Sequence, residues 1–215
     1  MLFEDAHLIA VIKPAGWLAQ GDSSGAPAIT GAIRDYLKAK QKGKQDDIFV
    51  GLVHRLDRNV EGVMVFAKTR KAASDLSDQI RRRSIKKFYR CLVEGIPDKE
   101  EDRLTHFIRK GKSMKATVFP RAAPDAKRAI LEYRVIKKQK QFALLEVALQ
   151  TGRFHQIRAQ LSFIGHPIVG DLKYRAQTRL GDYKIALCAS KLILTHPQNN
   201  KELIFEAPAS EWEPH

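Results

Sequence analysis

A chain of 215 residues with 44% hydrophobic composition can bury a sizeable core, and its length admits one large domain or two small ones, with one domain over residues 1–215 the economical expectation. Lys and Arg total 38 against 24 Asp and Glu, a formal charge of +14; so large an excess is costly in self-repulsion unless a polyanion offsets it, and RNA or DNA is the leading partner. No basic amphipathic helix is long and apolar enough to prefer an anionic membrane surface, and the distant Cys91 and Cys188 give neither a disulfide framework nor a paired metal-ligand spacing.

In chain order, Met1-Leu2-Phe3-Glu4-Asp5 carries acids where a targeting peptide carries bases, and no apolar run approaches a transmembrane length, which points to a cytoplasmic protein. His7 to Ile12 is apolar and rich in branched side chains and stops at Lys13-Pro14-Ala15-Gly16, a strand running into a turn. Asp22 to Pro27 reads as a loop, Ile29 to Lys38 as a short helix, and Lys40 to Asp47 as a charged excursion expected to be mobile. Phe49 to Val53 and Gly62 to Ala67 are two strands around a charged connector, His54 to Glu61, whose only apolar residues are Leu56 and Val60; tight charged loops between buried strands often carry sites.

Thr69 to Arg83 is helical, with Ala73, Leu76 and Ile80 at steps of three and four and Thr69 as N-cap. The helix ends in Arg81-Arg82-Arg83, which either complements the negative end of its dipole or contacts RNA. Phe88 to Val93, Thr105 to Ile108, Ala116 to Phe119, Ala129 to Ile136 and Phe142 to Leu149 are strand candidates, and the two cysteines read as reduced core thiols in apolar runs. Phe154 to Ile164 reads as a helix with Gly165 at its C-terminal cap, and Ile185 to Leu194 with Glu202 to Phe205 as a hairpin. The fold class that results is α+β, a mainly antiparallel mixed sheet flanked by helices and loops, with a central active-site cleft.

Two constellations carry chemistry. In His54-Arg55-Leu56-Asp57, neighbouring arginines favour a carboxylate able to act as nucleophile or base, against the plainer reading of a surface ion pair in a turn. In Thr151-Gly152-Arg153-Phe154-His155-Gln156-Ile157-Arg158, His155 and Arg158 are expected on a common side of the helix, pointing away from Leu161, where Arg158 can pair with a buried carboxylate and hold it ionised. Arginine at a helix N-terminus opposes the dipole, so a merely solvent-facing basic helix start is a weak alternative.

These segments resemble the RluA-type pseudouridine synthase family. His54-Arg55-Leu56-Asp57 with Gly62 is similar to its HRLD segment, Lys87-Phe88-Tyr89 to its K-x-Y segment, Thr151 to Arg158 with Gly165 to Asp171 to its TGRxHQIR and GHPIxGD segments, and Lys13 to Gly16 to its KPAG turn. The resemblance spans nearly the whole chain in the family's order. It implies a single pseudouridine-synthase-type catalytic domain and an isomerase, an intramolecular transferase that converts specific uridines in structured rRNA or tRNA into pseudouridine. No cofactor and no metal are implied, because the leaving and entering groups are two atoms of one uracil.

Residue by residue, Asp57 corresponds to the family's catalytic aspartate, attacking either the sugar or the base, and Tyr89 to the tyrosine that stacks on the target. Without the resemblance, Tyr89 reads as a partly buried strand tyrosine. Arg158 corresponds to the partner of the aspartate and Arg55 to the residue that fills the space left by the flipped uridine, a planar, charged plug. His54, Arg153, His155, Arg81, Arg82 and Lys86 are the further expected RNA contacts, and the protein is expected to act as a monomer.

The chain departs from the family at Val60-Glu61, where a Thr-Ser pair is usual, and at Tyr174-Arg175, where Tyr-Gly is common and a different loop is indicated. The N-terminal S4 domain of many relatives is expected to be absent, which leaves target selection to the basic surface of the catalytic domain, including Arg81 to Lys87 and Arg109 to Lys115. Two rival classes are a catalytically inactive RNA-binding protein on the same scaffold and a metal-dependent nuclease or phosphoesterase. For the latter, His54, His155 and His166 form no recognised ligand spacing with acids.

Overall fold

The computed structural model describes residues 1–40 and 48–214, so all but the first residue of the charged excursion from Lys40 to Asp47 lies outside the described residues. The chain forms two compact units, one of Met1–Ile85 with Lys191–Ala207, the other of Lys86–Ser190 with Pro208–His215. Both are built on antiparallel strands with helices, the α+β class expected from the sequence.

In the first unit, β2 (Leu8–Lys13) and β4 (Glu61–Ala67) pair antiparallel from Leu8 opposite Ala67 to Lys13 opposite Gly62. Both strands are buried along nearly their whole length, which is why they read as continuous apolar runs. β1 (Phe3–Glu4) adds to β2, and β3 (Gly51–Leu52) to β4. Neither two-residue strand is long enough to show an alternation, and β1 was not expected. Helix α1 (Ile29–Lys40) buries Ile29, Ile33 and Leu37. Helix α2 (Arg70–Arg81) begins where Thr69 Oγ1 accepts the Ala72 N–H at 3.2 Å, and its Ala72 and Leu76 pack into a core with Val63, Val65 and Phe205. The C-terminal hairpin is formed by β10 (Leu187–Thr195), which belongs to this unit from Lys191 onward, and β11 (Glu202–Glu206).

The second unit holds β5 (Lys86–Glu94), β6 (Glu101–Lys110), β7 (Ala116–Phe119), β8 (Lys127–Gln139) and β9 (Phe142–Leu149) in the order β5-β9-β8-β6-β7. β9 lies between β5 and β8 and buries Ala143, Leu145 and Val147. Cys91 and Cys188 are free and buried, and burial pushes the Cys91 thiol up, consistent with inert core residues.

One expectation is corrected. Helix α3 spans Gln156–Phe163, two residues later than expected, because His155 precedes it with φ of 51°, a left-handed conformation that cannot continue a helix. His155 and Arg158 therefore do not share a helix face. Nor does α3 have a solvent side over its first turns: every residue from Gln156 to Leu161 is buried. Its end is as expected, with Gly165 at φ of +90° and the His166 N–H donating to the Leu161 carbonyl at 2.9 Å.

Candidate functional site

In the first unit the segment His54–Glu61 is a turn fastened at several points. Leu56 and Val60 are buried, the Val60 N–H closes onto the Asp57 carbonyl at 3.1 Å, and Asp57 is half-buried beside the exposed Arg55. Arg58 locks the turn to the KPAG segment: the Gly16 N–H donates to the Arg58 carbonyl at 2.8 Å, and Arg58 Nε donates to the Gly16 carbonyl at 3.0 Å. His54 Nε2 accepts the Val65 N–H at 3.0 Å, so its ring ties the connector to β4.

Lys13 is fully buried, and its role was not legible from the sequence. Its ammonium donates to the carbonyls of Pro14 at 2.9 Å, Trp17 at 3.0 Å and Arg58 at 3.4 Å. Burial pushes its pKa down to about 8, opposed by the negative charges of Asp57 and Glu61. It is therefore charged at neutral pH, directly beneath the turn that carries Asp57. The departure at Val60-Glu61 has a structural account in the same place, since Val60 anchors the turn in the core and Glu61 helps hold the buried ammonium.

In the second unit, Tyr89 sits on β5 opposite Val147 and is buried, at 9% exposure. Lys86 opens the same strand and is exposed. Arg158 lies in α3 and makes a two-pronged ion pair with Asp171, Nε to Oδ2 at 2.7 Å and the second nitrogen to Oδ1 at 2.9 Å, with both side chains buried. Its guanidinium also lies 5.1 Å from the centre of the Tyr174 ring.

The loop ahead of α3 is held by the side chains of Thr151 and Gln156. Thr151 Oγ1 accepts the Ile130 N–H at 2.8 Å and donates to Gln156 Oε1 at 2.7 Å. Gln156 Oε1 also accepts the Arg153 N–H at 3.0 Å, while its Nε2 donates to the Ile130 carbonyl at 3.0 Å. This network fixes the loop to β8 and so fixes where α3 begins. Arg153 Nε donates to the Arg128 carbonyl at 3.0 Å. His155 stacks on Phe154 at 3.9 Å and meets the Tyr174 hydroxyl through Nδ1 at 3.0 Å.

Thus the structure gathers His54, Arg55 and Asp57 on one turn of the first unit, and Arg153, His155 and Arg158 around the start of α3 in the second. Arg81 and Arg82 lie apart from that turn, at the end of α2, where both exposed side chains pair with Asp78. The residues that only the structure reveals are Lys13, Thr151, Gln156, Asp171 and Tyr174. Among the described residues, no three His, Cys, Asp or Glu side chains are grouped so as to hold a metal ion, and no helix is long and apolar enough to cross a membrane.

Each unit thus holds one of the two motif segments, the first a carboxylate on a fastened turn and the second an arginine fixed in a buried ion pair. Residues 7–163 match the family model described as RNA pseudouridylate synthase, and the chain belongs to that family, whose members are isomerases acting on RNA. It is 30% identical over 97% of its length to an uncharacterized RNA pseudouridine synthase of Bacillus subtilis, covering 68% of that protein. It is 34% identical over 97% of its length to ribosomal large subunit pseudouridine synthase D of Nitrosomonas europaea, covering 61% of it. Among solved structures, human RNA pseudouridylate synthase domain containing 4 superposes with a TM-score of 0.80 at 25% identity, covering 98% of this chain and 88% of that one.

Proposed function

We propose that this chain isomerises specific uridines in structured RNA to pseudouridine, with its two units serving as one catalytic domain over residues 1–215. Asp57 is the attacking carboxylate. The bond between the sugar anomeric carbon and uracil N1 breaks, the base rotates, and the anomeric carbon is rejoined to C5, which gives up its proton while N1 regains one. Atoms balance within one nucleotide, so the reaction requires no cofactor. A base within a stem must first be extruded. Tyr89 supplies the face against which it is held, Arg55 fills the vacated space, and Arg158 holds the aspartate ionised in the reactive complex. Arg153, His155, Lys86, Arg81 and Arg82 hold the RNA backbone, and His54 acts through the turn it fastens.

The observation that carries this reading is that the family match covers the segments bearing Asp57, Tyr89 and Arg158, and that the structure fastens the Asp57 turn from beneath through Lys13 and Arg58. Ribosomal RNA is the first substrate to test, because the relative from Nitrosomonas europaea is named for the large ribosomal subunit. The protein works as a monomer in the cytoplasm, where it meets ribosomal and transfer RNA.

The test maps pseudouridines in ribosomal and transfer RNA from cells with and without the protein, and with Asp57→Asn in its place. One or more sites should vanish without the protein and stay absent with the variant, whose rate on an RNA transcript should fall by more than about a thousandfold. If no uridine depends on the protein, the reading fails. If Asp57→Asn is fully active, the assignment of Asp57 fails.

A further inference from the structure

The departure from the family at Tyr174-Arg175 opens a loop that none of the roles above uses. It runs from Asp171 to Lys184, and its ends meet: a Cβ on Gly170, whose φ is +85°, would fall 2.8 Å from the Lys184 carbonyl and 3.3 Å from Ile185 Cα. This is the form of an Ω-loop, a compact surface loop packed by its own side chains and frequently functional. It is fastened to β5 and to itself. The carboxylate of Glu94 accepts the N–H groups of Gln177 and Thr178 at 2.9 and 2.6 Å. The Gly170 N–H donates to the Thr178 carbonyl at 2.9 Å and the Ala176 N–H to the Asp171 carbonyl at 3.2 Å, while Tyr174 and Ala176 are buried.

With the backbone so held, four of the nine residues of the loop that face solvent are cations. Lys173, Arg175, Arg179 and Lys184 are exposed, with Asp182 the one exposed acid on the loop and Tyr183 57% exposed beside it. Lys184 reaches Glu211 at 3.7 Å, but Glu211 is itself 94% exposed, so that pair is worth little in water. Fixing four cations on one short loop costs repulsion that an external polyanion relieves. The root of the loop is also the support of the candidate site: Asp171 pairs with Arg158, and the Tyr174 hydroxyl meets His155.

We propose that the loop from Asp171 to Lys184 is an RNA-contacting element of this protein, gripping the phosphate backbone of the substrate beyond the target nucleotide through Lys173, Arg179 and Lys184. The proposal deepens the pseudouridine synthase reading and rests on it for the identity of the RNA. A rigid loop presents its cations without ordering cost at each encounter, which suits recognition of a folded RNA over a flexible strand. Because the loop shares Asp171 and Tyr174 with the site, RNA held there has a fixed relation to Arg158 and His155.

The test measures binding of the full chain to an in vitro transcript of large-subunit ribosomal RNA by filter retention over a range of potassium chloride concentrations. The loop variant is Lys173→Gln/Arg179→Gln/Lys184→Gln. A second variant, Lys137→Gln/Lys138→Gln/Lys140→Gln, removes the same charge from the exposed end of β8 and the turn after it. Losing three phosphate contacts should flatten the plot of log affinity against log salt by about 2 to 3 and weaken binding at least about tenfold at moderate salt. The second variant should change both far less. Equal losses in the two variants would reduce the loop to general charge, and an unchanged slope in the loop variant would remove it as a contact; either result overturns the proposal. Pseudouridine formation by the unaltered protein on the same transcript is scored separately. Its absence both there and on transfer RNA transcripts, together with the expected binding difference, would sink the catalytic reading while leaving the loop as an RNA contact.

Discussion

The turn that carries Asp57 and the segment that carries Arg158 are fastened to different kinds of partner. The first is held by side chains that bind main-chain groups. Carbonyls of Pro14, Trp17 and Arg58 converge on one buried ammonium, and backbone N–H groups of Gly16 and Val65 close onto Arg58 and His54. The second is held by side chains that bind each other, Arg158 by Asp171 and, in the loop before it, Gln156 by Thr151. In the turn the anchoring side chains of Lys13, Arg58 and His54 bind main-chain groups, so the course of the backbone at Asp57 is fixed. Side-chain fastening commits Arg158 to a buried partner, so it serves as a fixed charge. The first arrangement should respond to loss of one cation beneath it, and the second to loss of one carboxylate.

The largest effect expected on stability is from Asp171→Asn, which leaves the Arg158 guanidinium buried against a neutral group and should cost about 3–5 kcal/mol in urea unfolding. A loss below about 1 kcal/mol would mean that the ion pair is not what holds this segment. Lys13→Met should cost roughly 2–3 kcal/mol, because three carbonyls lose their donor and the charges of Asp57 and Glu61 lose their buried counterion. An unchanged unfolding midpoint would break the contrast from the other side. His54→Phe keeps the ring but removes the acceptor of the Val65 N–H, and a cost of about 1–2 kcal/mol is expected in the same measurement.

The smallest effect lies outside both segments and calibrates them. Glu4 is held at a pKa of about 2 by hydrogen bonds from Lys40 and Lys68, against an ordinary value of 4.5, with a further bond from Tyr36. Since the folded state holds the carboxylate ionised to lower pH than the unfolded chain, its contribution is complete above about pH 4.5 and is lost as pH falls toward 2. After screening at the exposed Lys40, roughly 1 kcal/mol is expected. Glu4→Gln should flatten unfolding free energy against pH by that amount across this window, and an unaltered curve would show that surface pairs contribute nothing here.

Much of this protein was legible one segment at a time. β9 falls on the residues expected from alternation and β7 on those of a strand candidate, Thr69 caps α2 as its side chain type suggested, and Leu56 and Val60, the only apolar residues of the His54–Glu61 connector, are its buried anchors. Such features are local, set by periodicity, capping chemistry and the burial of isolated apolar side chains. His155 illustrates the limit: the apolar period of Phe154 to Ile164 runs through it without a break, and its left-handed backbone goes with contacts to the distant Tyr174 that the period does not show.

Taken alone, the sequence determined the fold class, the family to which the chain belongs and the segments in which its chemistry must lie, since short motifs and hydrophobic periods are written contiguously. Only the tertiary structure decided that Lys13 is a buried cation beneath Asp57, that Arg158 is gripped by Asp171, and that the loop after Asp171 closes on itself with its cations outward. Each depends on groups far apart in the chain that meet where water is excluded. There an unpaired charge or carbonyl is costly, and the partner that removes the cost leaves no periodic trace in the sequence.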